Sequence, residues 1–221
     1  MSGCARGERQ TLIVGTGHGT CTCEGAAFEY AFNVDHELRE AGVRELADLV
    51  YFTNEPQLGD FGVGGMVFDY RGQRVSSAEW MESLFRERGV RAITHAAPTE
   101  ITDRVIHYDS VADGPGSIEY DFAMLLPPFG GVGLEAFDQA GRDITAELFA
   151  PSGFMWVDAD YSDKPYEEWR AADWPRTYRS PRNSNIFGVG IAFAPPHAIT
   201  RPERTVAGVL VAPSPPRTGM P

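Results

Sequence analysis

Apolar positions along the chain alternate between short continuous runs and stretches of helical spacing. Thr11-Leu-Ile-Val14 is a mostly β-branched run that ends at glycine, the pattern of a strand buried on both faces. Gly15-Thr-Gly-His-Gly-Thr20 follows it. From Glu24 to about Ala41 the spacing turns helical, with Ala27, Tyr30, Ala31, Val34 and Leu38 on one face and Gly42 as the stop. Asp48-Leu-Val-Tyr-Phe-Thr53 reads as a second strand. Strand, glycine-rich turn, helix and strand in that order form a βαβ unit, with a right-handed crossover expected.

Beyond it, residues 54–75 are rich in glycine and read as a loop. Ser76 or Ser77 caps a helix through Arg88 whose apolar side holds Trp80, Leu84 and Phe85. Val90–Thr94 is a third strand, and residues 99–124 hold two or three short strands around Asp113-Gly114, a β-meander. Tyr120–Leu126 is a further buried strand that Pro127 and Pro128 end. A short helix over Leu134–Ala140, a strand over Phe154–Val157, a long surface segment over 158–184 and a last strand over Asn185–Gly190 complete the pattern. Residues 1–10 read as a disordered lead. Residues 195–221, with seven prolines, read as an extended arm. The fold class expected is therefore α/β. A Rossmann-like domain of dinucleotide-binding type with a β-meander spans 11–157. A return segment with a Pro-rich C-terminal arm spans 158–221.

Composition narrows the function classes. A chain of 221 residues that is 43% hydrophobic can bury a real core as one large domain or two small ones. Its formal charge of −12, from 19 basic and 31 acidic residues, opposes nucleic-acid binding. No apolar run is long enough to span a bilayer, and the first residues lack the apolar stretch of a secretory signal. Three cysteines are too few for a disulfide scaffold, which points to the reducing cytoplasm. Lys164 is the only lysine, and a phosphate-loop motif is absent.

Three groups of residues carry candidate chemistry. Gly15, Gly17 and Gly19 lie between a strand and a helix, where backbone approaches a pyrophosphate and a helix N-terminus favours its charge. Thr20 stands at the third fingerprint position, and Glu55, at the end of the second strand, is placed for a ribose. Cys21 and Cys23 open the helix, where a thiolate is stabilised. They read as redox sulfurs or as buried small hydrophobes, and less readily, with His18, as part of a metal site. Glu29, among Phe28, Tyr30 and Phe32, reads either as a solvated carboxylate or as a partly buried one with a raised pKa.

Taken together these residues resemble the sulfide:quinone oxidoreductases. The segments that carry the likeness are Gly19-Thr-Cys-Thr-Cys-Glu-Gly-Ala-Ala-Phe-Glu-Tyr-Ala-Phe32, Phe52-Thr-Asn-Glu-Pro-Gln-Leu-Gly-Asp-Phe-Gly-Val-Gly-Gly65, Asn185-Ile-Phe-Gly-Val-Gly190 and Pro216-Arg-Thr-Gly-Met220. Their order and spacing agree with the family over most of residues 11–221. The resemblance implies FAD, electron transfer from sulfide or a thiol to quinone, and a peripheral position at the inner face of the membrane. It implies that Cys23, with Cys21, is the redox sulfur and Glu29 the nearby carboxylate. Gly188, Gly190, Arg217, Thr218 and Gly219 would lie at the flavin. Arg217 stands where the family commonly has lysine, and Asp60 where it tends to have histidine. The family's first FAD-binding βαβ unit, its other redox cysteines and its C-terminal amphipathic helices have no counterpart here. The expectation is a truncated or split flavoprotein whose tail is mobile or packs on another chain. Two further readings stand beside it. One is an NAD(P)H-dependent flavin oxidoreductase using Gly15–Gly19 and Glu55, and the other a non-catalytic thiol- or metal-binding domain.

Overall fold

A computed structural model of the chain describes residues 6–17, 24–61, 65–111, 113–127, 129–165, 168–196, 205–206 and 209–210. The chain divides into two compact units. The first is Met1–Pro128 with Thr200–Pro221, and the second is Phe129–Ile199. The division falls after Pro128 and not near residue 157, because the βαβ units and the meander close on one another before that point.

Unit 1 is a three-layered α/β domain. Strands β1 (Gln10–Thr16), β2 (Ala47–Phe52), β5 (Arg91–Ile93) and β9 (Phe122–Leu126) form a parallel sheet in the order β5-β2-β1-β9. Helices α1 (Glu24–Glu40) and α2 (Ser77–Arg88) follow β1 and precede β5. Leu12, Val14, Leu49 and Tyr51 turn to the helices and pack with Ala27, Phe28, Ala31, Leu38, Met81 and Phe85. Ile13, Val50 and Phe52 turn to the other face and pack with Ala96 and Ile106 of the meander. Both faces of β1 and β2 are covered, which is why these strands read as unbroken apolar runs. The meander is β6 (Ala96–Ile101), β7 (Val105–Ser110) and β8 (Gly114–Glu119), all antiparallel.

Several expectations change in local detail. On α1 it is Phe28 that is buried, stacked on Tyr51 at 4.6 Å, while Tyr30 faces solvent. The apolar stripe is shifted because Asp35, 3% exposed, occupies a core position. Ser76 caps α2 through a capping box with Glu79. Phe85 is buried there as expected, but Trp80 is exposed and lies on Phe68 and Tyr70 at 4.8 and 5.5 Å. Those rings belong to a hairpin, β3 (Val67–Tyr70) and β4 (Gln73–Ser76), within the stretch expected to be all loop. Its turn residues Arg71 and Gly72 have φ of 52° and 80°, the two-residue hairpin turn that matches strand twist. Strand β9 is half-buried rather than fully buried, with Phe122 exposed.

Unit 2 has little regular structure. The expected helix over Leu134–Ala140 does not form; a single bridge joins Phe137 to Asp143, and the short helix α3 lies at Thr145–Leu148. Neither Phe154–Val157 nor Asn185–Gly190 is a strand. Each contributes one isolated bridge residue, Met155 to Phe149 and Phe193, and Phe187 to Arg179. Gly188 and Gly190 in the second half of the latter stretch, with positive φ at Gly190, break any longer ladder. The long segment over 158–184 is tied by Lys164, which pairs with Asp160 at 2.8 Å and Asp173 at 3.0 Å and sits 4.4 Å from the Trp169 ring centre. The hydrogen bond from Lys164 holds the Asp160 carboxyl well below the usual carboxylate range. Residues 1–5, and the arm outside two short strands, β10 (Thr205–Val206) and β11 (Val209–Leu210), lie outside the described residues.

Asp35 ties the helices together. It accepts from Arg39 Nε at 2.8 Å and Arg44 Nε at 2.5 Å. Arg44 also donates to the carbonyls of Ala47, Arg88 and Gly89, at the start of β2 and the end of α2. Burial pushes the Asp35 carboxyl up, and the hydrogen bonds from Arg39 and Arg44 outweigh it, so its pKa lies below the ordinary value. Arg44→Ala is expected to cost about 3 kcal/mol, read as a lower urea midpoint. Because the folded-state pKa is depressed, this stabilisation is present above the unfolded value of about 4 and is lost as pH falls through the folded one. Stability of Asp35→Asn should accordingly depend less on pH in that acid range than wild type.

Candidate functional site

The sheet order sends the chain from β1 to β2 on one side, while β9 lies on the other. Ligands of open parallel sheets bind outside the carboxyl ends of the strands at such a reversal. Gly15 and Gly17, at the carboxyl end of β1, lie there. A Cβ on Gly15 would lie 1.8 Å from the Phe52 carbonyl oxygen, and one on Gly17 2.9 Å from that of Leu126. The Gly17 N–H donates to the same Leu126 oxygen at 2.7 Å. These two glycines thus let β2 and β9 close on the end of β1. Gly19, Cys21 and Cys23 lie outside the described residues, which resume at Glu24, the first residue printed for α1.

Beside this turn the carboxyl ends of β1 and β2 hold a buried polar cluster. Thr16 Oγ1 donates to Thr53 Oγ1 at 2.9 Å and lies 3.2 Å from Asn54 Oδ1. Glu55 accepts the Phe61 N–H at 2.6 Å, and its own N–H donates to Thr53 Oγ1 at 3.1 Å. Glu55 is 0% exposed. It was expected to face a ribose; instead its carboxylate holds the loop after β2 from within. Asp60 in that loop is also buried, with its carbonyl accepting the Gly65 N–H. Glu29 is exposed on α1, so the solvated reading holds over the partly buried one.

In unit 2, the segment Asn185–Gly190 walls a cavity of about 480 Å³. Phe187, Gly188 and Val189 line it together with Phe129, Val132 and Phe154. The wall is tight behind Gly188, where a Cβ would meet Val157 and Phe193 at 3.1 and 3.3 Å. Gly190, at φ 63°, has open space beside it. Arg217, Thr218 and Gly219 lie outside the described residues. Sequence reading missed the Thr16–Thr53 cluster and the aromatic walls. Only the glycine pair in Phe129-Gly-Gly131 and the single Gly153, in irregular stretches, hinted at the latter. Among the described residues no three His, Cys, Asp or Glu side chains are grouped to hold a metal ion.

No family model matches the chain. A sulfide-quinone reductase of Aquifex aeolicus (strain VF5) is 29% identical over 199 residues, 90% of this chain and 37% of that protein. The X-ray structure of the sulfide:quinone oxidoreductase from the same hyperthermophilic species aligns with a TM-score of 0.56 at 25% identity, over 83% of this chain and 36% of that one. The chain is sulfide:quinone oxidoreductase-like. It spans little more than a third of the length of the relative it matches.

Two outcomes follow from the geometry. Gly15→Ala should destabilise unit 1 by about 2 kcal/mol or more, since the Phe52 backbone blocks the added methyl; thermal melting measures it. Glu55→Ala strands the buried Phe61 N–H and should cost about 1–3 kcal/mol of stability, with no change in nicotinamide dinucleotide binding by calorimetry.

Proposed function

We propose that this chain forms the cysteine-bearing and quinone-facing part of an FAD-dependent sulfide:quinone oxidoreductase, which takes electrons from sulfide or a thiol. The observation that carries the reading is the position of the glycine turn at the chain reversal of the parallel sheet, with Cys21 and Cys23 next in sequence. A sulfur just before α1 would sit at the positive end of a 17-residue helix, which favours thiolate.

Cys23 is the sulfur that sulfide attacks. The new S–S bond forms as the bond from Cys23 to a partner cysteine breaks, and the partner leaves as thiolate. Cys21 or Cys4 is the partner this sequence offers. Oxidation of sulfide to zero-valent sulfur releases two electrons, and a quinone takes up two electrons and two protons to become quinol. A bound FAD would supply the two-electron acceptor between the cysteine sulfur and the quinone. Glu29, exposed one and a half helical turns beyond Cys23, would exchange protons with solvent near the sulfur.

The residues of unit 2 fit a flavin ring and a quinone ring. Their cavity has aromatic and aliphatic walls, and backbone without side chains at Gly130, Gly131 and Gly188 lets a planar ring approach. Gly188 and Gly190 would meet the flavin, joined by Arg217, Thr218 and Gly219, with the arginine's charge favouring the reduced ring. Contact with the membrane that dissolves the quinone would be peripheral and on the cytoplasmic side. Among the described residues no helix is long and apolar enough to cross a membrane.

The protein isolated from its own host should carry flavin absorbance and reduce quinone with sulfide. Cys23→Ser should retain the flavin and lose sulfide-dependent quinone reduction by on the order of 100-fold or more. A flavin-free protein, or an unaffected variant, overturns the reading.

A further inference from the structure

The hairpin of β3 and β4 is a sheet of its own, and among the described residues β3 pairs with no strand but β4. Its other edge is open. A two-residue turn closes on a hydrogen-bonded pair, here Tyr70 with Gln73, and bonded and non-bonded pairs then alternate along the ladder. Phe68 with Val75 is therefore bonded. So is Met66 with Ser77, where the Ser77 N–H donates to the Met66 carbonyl at 2.8 Å. Val67 and Asp69 fall between these pairs, so their N–H and C=O groups point away from β4. On the β4 edge the outward N–H of Ser76 is already taken by the Glu79 carboxylate at 2.9 Å.

The same segment carries an apolar stripe. Met66, Phe68 and Tyr70 alternate onto the face that meets Trp80. Met66 is 53% exposed, Tyr70 41% and Trp80 38%. Val67, on the other face, is exposed too. Unpaired edge backbone beside large exposed apolar side chains is a template for another strand.

The strand that fits is a second copy of β3. Antiparallel to itself about a two-fold axis at Phe68, β3 sets Val67 opposite Asp69 of the second copy, and Asp69 opposite its Val67. Each of these pairs can exchange both its outward hydrogen bonds. Phe68 then meets Phe68 of the second copy, and Met66 meets its Tyr70, a thioether against an aromatic ring. The register centred on Asp69 opposes like charges, and the one centred on Val67 overlaps fewer strand residues. Within each hairpin Arg74 stands directly across from Asp69 and offsets its charge. We propose that β3 is a self-pairing edge, through which two copies of this chain join their hairpins into one continuous antiparallel sheet. Such pairing uses none of the residues given a redox role above. Its contact area is small, so association is weak and concentration-dependent.

Sedimentation equilibrium of the full chain tests the pairing, in about 0.15 M salt to screen the formal charge of −12 on each copy. A monomer–dimer equilibrium with a Kd on the order of 10 μM is expected. Val67→Pro and Asp69→Pro each remove an outward N–H that the hairpin ladder does not use, so the hairpin can persist while its edge is blocked. Each should weaken the dimer on the order of 10-fold or more, with circular dichroism reporting the fold. In wild type, hydrogen exchange at the Val67 and Asp69 amides should slow as concentration rises, while exchange at the Arg74 amide, outward on β4, stays the same. A chain still monomeric at about 1 mM, an unchanged dimer in a folded proline variant, or exchange at Val67 and Asp69 that ignores concentration overturns the pairing.

Discussion

Strand β1 is hydrogen-bonded along both edges, and its carboxyl end leaves no room between its neighbours. The Phe52 carbonyl presses on Gly15 from one side and the Leu126 carbonyl on Gly17 from the other. Any side chain at either position would force the sheet apart. This close fit places the carboxyl end of β1 where the strand order reverses, the place where open parallel sheets bind ligands. Gly15 and Gly17 are thus required by the fold before any ligand is considered.

The layers on either side hold that geometry in place. Phe28, Tyr51 and Phe85 form a contact of three rings between α1, β2 and α2, with centroid separations from 4.6 to 5.8 Å. Toward the carboxyl ends of both helices the Asp35 pair with Arg39 and Arg44 joins α1 to the end of α2. Arg44 meets the last carbonyls of α2, where a positive charge is favoured by the helix dipole. Below the turn, the hydroxyls of Thr16 and Thr53 and the carboxylate of Glu55 satisfy one another and the loop backbone, so the carboxyl end of the sheet is polar but closed.

Unit 2 achieves order differently. With isolated bridges in place of strands, it relies on side-chain ties. Asp158 accepts from the Thr177 N–H and hydroxyl, Lys164 joins Asp160 to Asp173, and the Phe193 ring meets Trp174 and Tyr178 edge to face. The only lysine of the chain is engaged in a structural pair, which answers what chemistry it was free to do. Irregular backbone also explains the cavity. Segments that do not zip into ladders pack less evenly, and Gly131 and Gly153 let two backbones meet while space remains beside them.

The amino-acid sequence alone determined the βαβ order, the capped second helix, the meander and the two-faced burial of the central strands. Each of these follows from periodicity or from a local hydrogen bond, as with Ser76 and Glu79. It also carried the family likeness, through the cysteine segment and the loop after β2. Tertiary structure alone decided which face of α1 is buried, because the burial of Asp35 depends on arginines four and nine residues away. It decided that Glu55 points inward, since the Phe61 N–H that claims it comes into reach only when the loop folds back. It decided, too, that Asn185–Gly190 walls a cavity instead of forming a strand. A strand needs a partner ladder, and apolar residues next to glycine do not reveal whether one will be there.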